Sequence, residues 1–119
     1  MDYNPLTEVI DEPISVSVRE LSELKRLREF KNFANLPGTD TMEERARLTQ
    51  VFNQLLDSLI EQVAEHPNKL WVLSQFKFAL EIVQMEDTEG REHFGDHLEK
   101  IMDILHIDSS DGLINFYLC

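Results

Sequence analysis

Large apolar side chains recur every three or four residues along most of this 119-residue chain, which is the spacing of one face of an α-helix. The pattern divides into four long segments, and none shows the strict alternation of a half-buried strand. Glycine and proline number only four each and mostly fall between these segments. The sequence therefore predicts an all-α fold: a single-domain bundle of four main helices and a short C-terminal helix.

Two sequences typical of capping boxes mark the starts of the first two helices. Residues 17–20 read Ser-Val-Arg-Glu, and residues 41–44 read Thr-Met-Glu-Glu. We expect the first helix over 18–34 and the second from 42 to His66, where proline follows.

The third segment, residues 70–85, is apolar on almost every side. A helix that is hydrophobic all round is normally buried, so we expect this helix at the centre of the bundle. Its large aromatic side chains are predicted to be core: Trp71, Phe76 and Phe78. A fourth helix is predicted from about 88 to 105, and a short last helix over 113–118.

The first twelve residues contain four acidic and no basic residues. We expect residues 1–16 to be an extended or mobile leader and residues 17–119 to form the helical domain. The leader lacks a basic segment followed by an apolar one, so no secretion signal is expected. The longest apolar run has four residues, too few to span a membrane. The single cysteine, Cys119, allows no intrachain disulfide, and we expect a cytoplasmic protein.

Acidic residues outnumber basic ones by 23 to 11, and the formal net charge is −12. Direct binding to nucleic acid or to an anionic membrane needs a basic footprint and is not expected. Residues 86–111 alone contain nine acidic and two basic residues, a net charge of −7. The excess charge is therefore concentrated on the fourth helix and its flanks.

At about 100° per residue, five carboxylates of this helix fall within about 80° of one another, opposite its apolar stripe. We call them the acidic column: Glu89, Glu92, Asp96, Glu99 and Asp103. The column is about 21 Å long at about 1.5 Å per residue. It is either a solvated face that keeps the protein soluble or a docking surface for a basic partner. Gly95 lies at the flank of this face and allows close approach of another backbone or of a partner.

Glu89, His93 and His97 lie one turn apart on one flank, and histidines at this spacing can chelate a divalent metal. The order of residues is not that of the zinc-protease motif, and no further ligand has suitable spacing. We therefore predict no metal or cofactor. His66 and His106 stand at helix ends, where a partly protonated imidazole suits the helix dipole. No catalytic residue is predicted, and an enzyme is disfavoured.

From about residue 70 onward the chain resembles an uncharacterised bacterial family of small helical proteins, a domain of unknown function. The residues that carry the resemblance are Asp87-Thr88-Glu89, Arg91-Glu92, Met102-Asp103-Ile104-Leu105, Ser109-Ser110-Asp111-Gly112-Leu113 and Asn115. The chain departs from the family pattern shortly before Ser109 and Ser110, where His106 stands instead of the expected glycine. The resemblance implies a helical fold and a bacterial or phage origin, and no activity.

The residues that carry the resemblance also have a structural interpretation. Asp87 or Thr88 is suited to begin the fourth helix, and Arg91 to pair with Asp87 or another acid. Ser109 and Ser110 are suited to cap the last helix.

We expect a small non-enzymatic interaction protein, best described as an immunity- or antitoxin-type inhibitor of a basic effector. One alternative is a phage-type inhibitor whose carboxylates imitate phosphates and block a nucleic-acid-binding protein. The other is a metal-dependent protein that uses Glu89, His93 and His97. The oligomeric state is left open.

Overall fold

A computed structural model describes residues 3–30, 33 and 42–118, and this part of the chain is helical without a β-strand. The all-α prediction is confirmed. A short 3-10 helix, Pro5–Glu8, comes before the five α-helices. These are α1 (Val18–Glu29), α2 (Met42–Gln62), α3 (Lys69–Val83), α4 (Thr88–Ile104) and α5 (Leu113–Leu118). In the described residues, no helix is long and apolar enough to cross a membrane.

The first capping box forms as predicted. Ser17 Oγ accepts a hydrogen bond from Arg19 N–H, and the Glu20 carboxylate accepts one from Ser17 N–H at 2.7 Å. The second capping box begins at Thr41, which lies outside the described residues. The fifth helix has the predicted bounds.

Helix α1 ends five residues earlier than the predicted residue 34, and Phe30 is extended and 65% exposed. Phe33 enters the core instead, with 1% of its surface exposed, from a turn beyond the helix. Its ring packs against the rings of Phe52, Phe94 and His97. The predicted last position, Ala34, lies outside the described residues. Phe33 fills the core from this turn. Phe30 therefore does not continue α1, although its spacing fits the helical pattern.

The second helix provides much of the core and packs against α1, α3 and α4. Its buried apolar residues are Leu48, Phe52, Leu55, Leu56 and Leu59. It ends at Gln62, before the predicted His66, whose N–H closes a turn onto the Gln62 carbonyl. The His66 ring stacks on Trp71, with 5.1 Å between ring centroids.

The expectation that the third helix is enclosed on all sides is wrong. Its inner face is buried through residues such as Leu73, Phe76 and Leu80, whereas Phe78 and Ile82 are 65% and 56% exposed. The molecule measures 39 × 39 × 19 Å. With a helix diameter of about 10 Å, this thickness accommodates about two layers, so α3 keeps an uncovered outer face.

The acidic leader, for which an extended or mobile state was expected, is docked on the bundle. The backbone N–H of Lys69 donates to the Glu12 carbonyl, and the N–H of Ile14 donates to the Pro67 carbonyl. The Asp11 carboxylate accepts a hydrogen bond from the N–H of Leu70, in the first turn of α3. These contacts tie the leader to the start of α3.

An ion pair between a buried lysine and a partly exposed aspartate joins the leader, α3 and the turn before α5. Lys69 is 6% exposed, and its Nζ lies 2.8 Å from Asp111 Oδ2. The same carboxylate accepts a hydrogen bond from Ile10 N–H, 2.9 Å away. The hydrogen bond from Lys69 is the main reason why the pKa of Asp111 lies below its usual value. Asp111 thus connects three segments that are distant in sequence.

We predict that Asp111→Asn lowers the free energy of unfolding by about 2–4 kcal/mol, because it leaves the Lys69 ammonium buried without its counter-charge. Asparagine tolerates the positive φ of this residue, so backbone strain does not confound the result. Urea denaturation measures the change. Adding Lys69→Met should restore part of the loss. Glu81→Gln, which breaks the exposed Lys77–Glu81 pair, is the control and should cost less than about 1 kcal/mol.

Candidate partner-binding surface

Helix α4 is held by its apolar stripe, which the sequence placed correctly. Phe94, Leu98, Ile101 and Leu105 have no exposed surface. The helix begins after Asp87, whose backbone is extended and whose side chain makes no capping hydrogen bond. Thr88 is instead the first helical residue, and its hydroxyl lies 3.3 Å from an Arg91 guanidinium nitrogen.

The predicted pairing of Arg91 with Asp87 or another acid is not among the ion pairs of the described residues. Besides Thr88, the guanidinium donates to the Gln84 carbonyl, at 3.4 Å. This carbonyl belongs to the residue that ends α3. Arg91 therefore links the end of α3 to the start of α4.

The end of α4 is a left-handed cap made without glycine. His106 has a φ of 62°, its N–H donates to the Asp103 carbonyl, and Ile107 N–H donates to the Met102 carbonyl at 2.8 Å. This pair of bonds is a Schellman motif, whose left-handed position usually holds glycine. The resemblance leads us to expect glycine at residue 106 because this position has a positive φ. In this chain His106 adopts that conformation.

His106→Gly should give a protein more stable than His106→Ala by about 1 kcal/mol, since only glycine adopts positive φ without a steric cost. Both variants lose the imidazole, so their difference isolates the backbone. Urea denaturation of the two variants side by side measures it. Equal stability would show that residue 106 is not held in the left-handed conformation.

The Glu20 carboxylate is 6% exposed and lies between the start of α1 and the end of α4. Its Oε1 accepts hydrogen bonds from Ser17, and its Oε2 lies 3.3 Å from His106 Nε2. The hydrogen bonds from the Ser17 hydroxyl and backbone N–H are the main cause of a Glu20 pKa of about 2. The ionised carboxylate is therefore the form that the fold favours.

A carboxyl group with a lowered folded-state pKa stabilises the fold above its unfolded pKa, and this stabilisation disappears as the pH falls through the folded value. For Glu20 the loss falls between pH 4.5 and about 2. We predict that Glu20→Gln flattens the dependence of the urea midpoint on pH in this window. Glu61→Gln, on the exposed side of α2, should leave the dependence as in the wild type. Identical profiles for Glu20→Gln and the wild type would contradict this role of Glu20.

All five members of the acidic column are exposed, along the full length of α4. Both flanks of the column are closed. On one side, α5 approaches Gly95 so closely that a Cβ there would lie 3.1 Å from Leu118 Cδ1. On the other side, His97 is 5% exposed and stacks on Phe33. The close approach predicted at Gly95 is thus made by the side chains of α5, and the column is the face that α4 presents to solvent.

Some carboxylates elsewhere form ion pairs, whereas no member of the column does so in the described part of the chain. The ion pairs between basic and acidic side chains are Arg19–Glu23, Arg28–Asp57, Arg47–Glu86, Lys69–Asp111 and Lys77–Glu81. Arg47 and Glu86 form two hydrogen bonds of 2.7 Å, and the pKa of Glu86 is lowered chiefly by them. The described ion pairs therefore include no member of the acidic column, and Lys100 and Arg26 are the basic residues that lie near its C-terminal end.

A groove lined by both apolar and charged residues adjoins the C-terminal end of the column, between α1 and α4. Its volume is about 360 Å³. It is lined by Glu23, Arg26, Leu27, Phe30, Lys100, Asp103 and Ile104. Phe30 and Asp103 are both exposed, so an apolar anchor point lies beside the last carboxylate. The sequence analysis missed this neighbourhood because it depends on the packing of two helices.

The proposed metal ligands Glu89, His93 and His97 do not assemble into a site. Glu89 is exposed, whereas the His97 ring is buried and its Nδ1 lies 2.7 Å from the His93 carbonyl oxygen. In the described residues, no three potential ligands lie close enough together to hold a metal ion. Cys119 lies outside the described residues.

The described residues form a small helical bundle with an acidic face on α4 whose carboxylates make no ion pair. Residues 11–119 match the family named Domain of unknown function (DUF4844), and the chain belongs to that family. The resemblance noted in the sequence is thereby confirmed and extends over most of the chain. Neither a curated protein nor a solved structure matches the chain.

Proposed function

We propose that this chain is a non-enzymatic, cytoplasmic interaction protein of the bacterial immunity or antitoxin type, which binds a basic effector protein through the acidic column. The observation that carries the proposal is the column itself: five exposed carboxylates on one helix face that make no ion pair in the described residues. Opposite charges on a partner would compensate them and accelerate association.

The neighbouring groove supports a folded protein as the partner. Charged pairs at the rim of an interface mainly set the rate and specificity of association, whereas a buried apolar anchor provides affinity. Phe30, 65% exposed beside Asp103, is suited to be part of such an anchor. A partner with a basic ridge and an apolar projection at one end would fit both features.

The alternative function is a phosphate mimic of duplex DNA, and it can be judged by comparing the spacing of charges along the acidic column with that along DNA. The column has five charges over about 21 Å, or one in about 5 Å, while duplex DNA carries one in about 1.7 Å. The column is thus about three times less dense than duplex DNA. This difference favours a cationic effector over a protein built to grip a duplex.

The test begins with affinity capture from a bacterial lysate, followed by calorimetry with the purified captured protein. Glu92→Gln, Asp96→Asn and Glu99→Gln together should weaken binding by about 1–3 kcal/mol at low salt, because three exposed ion pairs are lost. The loss should shrink as salt is added.

The matched control neutralises three exposed acidic residues elsewhere: Glu12→Gln, Glu61→Gln and Glu65→Gln. It has the same net charge as the test variant and should bind like the wild type. Equal weakening in both variants would mean that net charge, and not the column, attracts the partner. Competition by duplex DNA for the captured protein would favour the phosphate-mimic alternative.

A further inference from the structure

Large apolar side chains lie on the outer face of α3 and in the turn after it, and three of them stay exposed in the described structure: Phe78, Ile82 and Met85. Trp71, Phe78 and Met85 recur at intervals of seven residues, Met85 lying two residues beyond the end of α3, and Ile82 lies beside Phe78 on the helix. Trp71 is half-buried, whereas Phe78, Ile82 and Met85 are 65%, 56% and 84% exposed. This heptad spacing is typical of a helix face that packs against another helix.

A groove runs along this face, between α3 and α2, and its volume is about 210 Å³. It is lined by Val51, Gln54, Leu55, Ser58, Gln75, Phe78, Ala79 and Ile82. None of these residues is charged, in a chain in which 29% of the residues are. On the side of Phe78 away from the groove, Lys77 and Glu81 pair with each other at 3.3 Å and leave no net charge.

We propose that this face binds a second copy of the chain and forms a two-fold symmetric dimer. In such a dimer the α3 helices cross antiparallel, and the large side chains of each copy enter the groove of the other. A two-fold axis near Ala79 also places Lys77 of one copy beside Glu81 of the other. The face is therefore self-complementary in both shape and charge, as a two-fold interface must be.

The exposed area fits this occupant. At the stated exposures, Phe78, Ile82 and Met85 together expose on the order of 400 Å². This is about half of the roughly 800 Å² per partner of a standard interface, so the dimer is expected to be weak. A basic partner would find no net negative charge here, and an anionic membrane repels a chain with a net charge of −12.

Sedimentation equilibrium of the full chain tests the proposal. We expect a monomer–dimer equilibrium with a dissociation constant of about 1–100 μM. Two copies with a charge of −12 each repel one another, so raising the salt concentration from about 0.1 M to about 1 M should tighten the dimer. A contact made through the acidic column weakens with salt. The sign of the salt effect therefore separates this proposal from the proposed function.

Phe78→Gln and Met85→Gln should each weaken the dimer at least tenfold, and because both side chains are exposed, the variants should fold normally. Met42→Gln is the matched control: it removes a methionine that is 76% exposed on α2, and it should leave the dimer intact. Circular dichroism confirms the fold of each variant.

Three outcomes would overturn the proposal. The first is a chain that stays monomeric at the highest concentration and salt. The second is a dimer that Phe78→Gln does not weaken, which would place the interface on another face. The third is a monomer that co-sediments with phosphatidylcholine vesicles only when Phe78 is present, which would make a lipid surface the occupant.

Discussion

The helices of this molecule pack in a bundle only 19 Å thick, and this limits how many sides of each helix can be covered. Helices about 10 Å across can form only two layers in that space, so each helix turns one face inward and another outward. The inward faces are similar, lined by leucine and phenylalanine. The outward faces differ: that of α4 is acidic, and that of α3 is apolar. Because the core needs only the inward faces, the chemistry of the outward ones is free to serve binding.

The features that the sequence predicted well depend on neighbours within one or two helical turns. The capping box at Ser17 and Glu20, the bounds of α5 and the exposure of the acidic column are of this kind. Hydrophobicity alone did not reveal which face of α3 is covered, since an outward phenylalanine reads like an inward one. Nor did periodicity reveal Phe33, which reaches the core from a turn, or the pairing of Lys69 with Asp111, 42 residues away.

The acidic column has an energetic effect on the free protein. Carboxylates three or four residues apart on a helix repel one another by a few tenths of a kcal/mol per pair. Glu89 gains from the positive end of the helix dipole, whereas Asp103 lies near the opposite end. The apolar stripe of α4 must therefore hold the helix together against this repulsion. A cationic surface that approached the column would relieve the repulsion, so partner binding and the stability of α4 would be thermodynamically linked.

One carboxylate serves two helix ends. Glu20 completes the capping box of α1 through one oxygen and faces His106, the left-handed residue that ends α4, through the other. The first turn of α1 and the last turn of α4 therefore share a contact, although 86 residues separate the two side chains. Fraying at either end removes a contact from the other, so we expect the backbone amides of both turns to exchange with solvent in one concerted opening.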